Sequence, residues 1–193
     1  GVGEVWWQAL EDIIAQQNSV STTYLGETDS LPTTTLAEKR EAFDSIYWRM
    51  RAMPEADRVL LLRQLAEASG FDLQAHCRRL IMDWSELRTM AGSALCTLGA
   101  HTVHHYELAK LPADEARNEI DQSVRVIKAQ FGASPVHFSY PIGSPVAAGP
   151  REVEMVSELG LRSAVTTRPG GLYHHHRDSL LALPRISLNG YFQ

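Results

Sequence analysis

Up to about position 92 the apolar residues recur at helical spacing; beyond it, short apolar runs alternate with helical stripes. Trp6, Leu10, Ile13 and Ile14 mark a first helix, and Trp6-Trp7 reads as packing rather than as a sugar platform. Residues 17–35 turn polar, with Val20 to Tyr24 as one short strand of a hairpin around Gly26. Thr35 and Glu38 make a capping-box pattern ahead of a stripe of Phe43, Ile46, Tyr47 and Met50. Pro54 opens the next helix, Val59, Leu62, Leu65 and Ala66 form its apolar face, and Gly70 stops it. Asp83 and Glu86 cap a shorter helix that bears Leu87 and Met90 and closes at Gly92.

The apolar run Ala94-Leu95-Cys96-Thr97-Leu98 predicts a buried strand near 95–100 that ends in a loop at His101. A helix follows from about Pro112, with Ala116, Ile120, Val124, Ile127 and Phe131 on one face and Gly132 as its stop. Residues 136–140 alternate as a strand, Pro150 starts a helix with Val153, Val156 and Leu159 inward, and further strands are expected near 163–167 and 183–187. Strand and helix in alternation imply right-handed crossovers and a parallel sheet or barrel. In such folds the site lies at the carboxyl ends of the strands, where His101 and Pro141-Ile142-Gly143 fall.

The 193 residues suit one domain with an appendage, and a net charge of −5 with both signs interspersed leaves no basic stripe for nucleic acid. No apolar run reaches membrane-spanning length. Cys77 and Cys96 make neither a metal knuckle nor a disulfide framework. The chain opens at Gly1-Val2-Gly3 without an initiating Met, as if cut from something longer; the compartment, cytoplasmic or extracytoplasmic, stays unassigned.

His101 and His105 carry the candidate chemistry. If the chain turns helically after the strand, residues four apart share a face, and two neutral imidazoles there are a ready pair of zinc-type ligands. The competing reading is polar loop surface. His174-His175-His176-Arg177-Asp178 reads as an exposed loop, and Asp44, Asp72 and Asp83 as solvated or capping residues.

Gly99-Ala100-His101-Thr102-Val103-His104-His105, Leu108, Glu119-Ile120, and the block from Gly132 through Ser139-Tyr140-Pro141-Ile142-Gly143 together resemble the NodB-like polysaccharide deacetylases, carbohydrate esterase family 4. The resemblance runs from about Trp84 to Arg185. It implies an incomplete or distorted (β/α) barrel of the NodB type with a helical N-terminal insertion. Residues 1–92 would be the mostly helical segment, an insertion or a layer of the same domain, and 93–193 a partial deacetylase core. The family's His-Ser/Thr-x-x-His block falls on His101, Thr102 and His105, which makes the two histidines ligands of a divalent metal, zinc by expectation, with His104 a spectator. The Phe-Arg-Pro-Pro-Tyr-Gly block falls on 138–143, which makes the Ile142 N–H an oxyanion donor, puts Ser139 in place of the family's arginine, and sets Tyr140 against substrate.

Two family blocks have no counterpart in the chain: the opening Asp-Asp, which supplies the general base and the third metal ligand, and the late block with its acid histidine. Arg185 is a candidate to orient a carboxylate through a bidentate pair; a surface arginine at a strand end is the alternative. The implied activity is metal-dependent removal of N-acetyl groups from an N-acetylglucosamine-type glycan, with this chain an inactive fragment. The alternatives are a non-catalytic glycan-binding or scaffold relative, and a metal-dependent carbohydrate O-acetyl esterase. An incomplete barrel also leaves an open sheet edge, through which self-association is expected.

Overall fold

The first apolar stripe winds into helix α1 (Trp6–Gln16), which buries Trp6, Leu10, Ile13 and Ile14. The computed structural model describes residues 5–187, and the chain divides into two units, Gly1–Met82 and Asp83–Gln193. In the first unit α1 is followed by the antiparallel hairpin β1 (Ser19–Tyr24) and β2 (Glu27–Pro32). Tyr24 pairs with Glu27 across Leu25 and Gly26, both at positive φ, the two-residue turn whose twist suits a hairpin. Helices α2 (Leu36–Ala52) and α3 (Glu55–Ser69) close over α1.

The capping box at Thr35 forms as expected: the Glu38 N–H donates to Thr35 Oγ1 at 3.2 Å, and the Thr35 N–H donates to Glu38 Oε2 at 2.8 Å. The Thr35 N–H, with that of Thr34, holds the Glu38 carboxyl below its usual pKa. Ile46, Met50, Leu62 and Leu65 fill the core with the α1 stripe, each such side chain contributing about 1.5–3 kcal/mol on burial. Trp6 stacks on Tyr47 at 5.1 Å, and the buried Arg58 lies over the Trp6 ring while its Nε donates to Glu55 Oε2 at 2.7 Å. Helix α4 (Leu73–Leu80) carries no apolar stripe to announce it; its buried residues are His76 and Cys77, and Asp72 caps its first turn.

The second unit opens with α5 (Trp84–Ala91) under the Asp83–Glu86 capping box. Its expected packing stripe stays largely in solvent: Leu87 is half-buried and Met90 exposed. Trp84 instead meets Phe131 edge-on at 6.2 Å, and Arg88 donates to Gln130, so α5 lies against the end of α6 (Ala113–Phe131). The division between the two units lies between Met82 and Asp83.

Strands β3 (His137–Ser139), β4 (Ser163–Pro169) and β5 (Leu183–Arg185) form a parallel sheet in that order, with α7 (Pro150–Glu158) between β3 and β4. The expected strands near 136–140, 163–167 and 183–187 are thus present. The one near 95–100 is not. Residues 93–95 turn, Leu95 is 99% exposed, and only Ala100 joins the sheet, as a parallel bridge to Phe138. The Ala100 N–H donates to His137 O at 2.8 Å and the Ser139 N–H to Ala100 O at 2.9 Å. Among the described residues the sheet is open rather than a closed barrel. Ala100, Phe138, Tyr140 and Ala164 from the sheet pack with Ala116, Ile120 and Val156 from the helices in one core.

Candidate functional site

Two segments leave the sheet at its carboxyl end: residues 101–107 after Ala100, and 140–143 after β3. The first is not a helical turn. Thr102 and His105 both take left-handed backbone, at φ 59° and 57°, and the His105 N–H donates to Thr102 Oγ1 at 3.1 Å. This tight loop, rather than helical spacing, turns the two imidazoles together. The His101 and His105 rings lie 4.8 Å apart, edge to face at 75°.

His101 Nδ1 is 2.6 Å from the Ser139 carbonyl. A carbonyl only accepts, so Nδ1 carries the proton and the neutral ring keeps its lone pair on Nε2. Loss of solvation lowers the His101 pKa, the Arg185 guanidinium lowers it further, and the Ser139 carbonyl opposes both. That shift favours the neutral ring, the form that ligates a metal. The position where the family carries arginine thus serves here through its main chain.

Glu119 lies on the buried face of α6. Its Oε2 accepts from the Val103 and His104 N–H groups at 3.1 and 2.9 Å, and its Oε1 lies 2.6 Å from His104 Nδ1. The His104 ring pairs with Glu119 and stacks on Tyr106 at 5.1 Å. A glutamate about two turns inside a helix gives no sequence signal that its carboxylate faces a distant loop; its place on the same stripe as Ala116, Ile120 and Ser123 is the trace it leaves.

Ile142 sits at φ 65°, a costly conformation for a β-branched residue. The Gly143 N–H closes the turn onto Pro141 O at 2.6 Å, and Thr167 Oγ1 donates to Ile142 O. Among the described residues the Ile142 N–H has no intramolecular acceptor. Gly143, at φ 56°, has to be glycine: a Cβ there would meet the Thr167 nitrogen at 2.6 Å.

Tyr140 departs from its expected place, and Arg185 takes the strand-end position that was one of its two readings. The Tyr140 side chain is fully buried and its hydroxyl donates to Leu181 O at 2.9 Å, with burial raising its pKa. It supports the sheet from within the core, and this corrects its expected place against substrate. Arg185 is exposed at the end of β5; its Nε donates to Thr166 O at 2.7 Å, and among the described residues it pairs with no carboxylate. His174–Asp178 form a short 3₁₀ turn with all five residues outside the core, as expected. Among the described residues no group of three His, Cys, Asp or Glu side chains converges to hold a metal. His101 and His105 fit a metal as two imidazole donors of such a set.

Residues 43–164 match the sequence model of the polysaccharide deacetylases. The match begins within α2, ahead of the motif blocks. The fold is similar to that of the deacetylase PplD from Streptococcus pyogenes, solved with acetate, at 18% identity and a TM-score of 0.52 over 65% of this chain and 57% of that one. A polysaccharide deacetylase from Bacillus cereus aligns at 23% identity and a TM-score of 0.47, over 54% of this chain and 32% of its own. The chain thus spans less than two thirds of the length of these structures. No curated protein matches it.

Proposed function

Because this chain belongs to the polysaccharide deacetylase family, we propose that it carries the metal-histidine and oxyanion side of a site that hydrolyses N-acetyl groups on an N-acetylglucosamine-type glycan. The observation that carries this reading is the facing His101–His105 pair, with the His101 tautomer set by the Ser139 carbonyl. His101 and His105 would hold a divalent ion, zinc by preference. Bound there, the ion supplies Lewis acidity toward the acyl group.

The chain's own residues prepare the rest. The Ile142 N–H, fixed in its turn by Gly143 and Thr167, donates to oxygen charge that develops on the acyl carbon's oxygen. A donor already held in place loses little reorganisation energy at that moment, and removing one such donor typically costs about 10²–10³-fold in rate. Because the donor is main-chain, isoleucine serves as well as the tyrosine of the family pattern.

The 193 residues contain no Asp-Asp pair to take a proton from water. A positioned general base is typically worth about 10²–10⁴-fold, so turnover by this chain is expected to be slow. The test is zinc-dependent acetate release from N-acetylglucosamine oligomers, with O-acetylated xylan alongside. Slow release from the amide substrate that vanishes in His101→Ala and His105→Ala is the expected result. Release that persists in both variants would contradict the site, and release from the ester alone would move the reading to an esterase.

A further inference from the structure

We propose that Glu119 is the positioning residue of the histidine loop: by accepting the Val103 and His104 N–H groups on one oxygen it holds the left-handed turn that makes His101 face His105. The inference rests on the metal-histidine reading above. Its geometry is independent of that reading. Glu119 is 7% exposed, and its three hydrogen-bond contacts all go to the loop, none to its own helix or to the sheet. A buried carboxylate is costly unless its bonds are satisfied, and charge-assisted bonds to N–H groups are among the strong ones. What those bonds secure is otherwise unfavourable backbone: Thr102, β-branched, and His105 flank the two anchored amides at φ 59° and 57°. Released from Glu119, residues 102–105 would relax toward ordinary φ, and the 4.8 Å ring approach would be lost.

The two Glu119 oxygens do different work. Oε2 fixes the backbone and so acts on both ligands, whereas Oε1 orients His104, whose ring lies against Tyr106. The backbone contact is the one that positions His101 and His105. Removing the His104 ring should therefore leave metal affinity near wild type, although His104 is the residue in closest contact with the carboxylate.

The experiment uses the chain with His174, His175 and His176 changed to alanine, so that the exposed imidazoles do not compete for metal. Two quantities are measured: hydrogen exchange at the Val103 and His104 amides without metal, and Co²⁺ affinity from its visible absorption. Glu119→Ala should speed exchange at both amides and weaken Co²⁺ binding by about 10–100-fold, the usual cost of losing a group that orients a ligand. Glu119→Gln, which keeps an oxygen acceptor, should recover most of both, and His104→Ala should change neither greatly. Co²⁺ affinity unchanged in Glu119→Ala, while His101→Ala abolishes it, overturns the positioning role and leaves the proposed site intact. Co²⁺ binding that ignores His101→Ala overturns the metal reading; amide exchange then decides alone whether Glu119 holds the loop. If Glu119→Ala does not fold, Glu119→Leu in its place with wild-type exchange and affinity would overturn the proposal, and faster exchange with weakened binding would support it.

Discussion

His101 gives its Nδ1 hydrogen to the Ser139 carbonyl, and that one bond decides which nitrogen the ring has left to offer. Around it single residues do separable things. Gly143 admits the close approach of β4 to the turn at 140–143, so Gly143→Ala should destabilise the chain by about 1–3 kcal/mol, the usual cost of a forbidden backbone conformation, read as a lowered melting temperature. Tyr140 works from the core. Tyr140→Phe strands the Leu181 carbonyl and should lower stability by about 1–3 kcal/mol, with Co²⁺ affinity unchanged; a large loss of affinity would return Tyr140 to the site. The histidine pair could be picked out by its four-residue spacing, and the turn at Ile142 only through the family resemblance. The contact that shapes the pair was not legible, since Glu119 meets Val103 and His104 only once the chain has folded.

Elements were legible where an apolar face declares them. The stripes of α1, α3, α6 and α7 bury their core-facing residues, and the capping boxes at Thr35 and Asp83 start their helices where the side chains require. Helix α4 escaped because its inward face is one histidine and one cysteine. The run at 94–98 failed in the opposite sense: its residues are apolar enough for a strand, but a strand exists only by pairing, and Ala100 alone finds a partner. The cap of α2 yields a pH test. The Glu38 carboxyl is held below its usual pKa of 4.5 in the folded chain, so the unfolded chain takes up the proton first. Its stabilisation is present above that value and is lost as pH falls through the folded pKa. The melting-temperature gap between wild type and Glu38→Gln should therefore shrink between about pH 6 and about pH 3. A gap independent of pH would show that the cap works without its charge.

For the whole molecule, the alternation of strands and helices after Gly92 predicted a parallel sheet, and β3, β4 and β5 form one. The incomplete barrel was an inference from resemblance, and the described residues form an open three-stranded parallel sheet. The segment before Ala100 lies at one edge of that sheet, with Leu95 wholly exposed. Such an edge invites another chain. Light scattering after size-exclusion chromatography is expected to show a dimer or larger species that Leu95→Lys reduces; a monomer at millimolar concentration would contradict it.

The central claim is that His101 and His105 form one metal site in a polysaccharide deacetylase fold. Calorimetric zinc titration of the chain lacking the three histidines at 174–176 tests it most directly. The account predicts a single zinc site that His101→Ala and His105→Ala each remove and His104→Ala retains. Zinc binding that survives both His101→Ala and His105→Ala would contradict it.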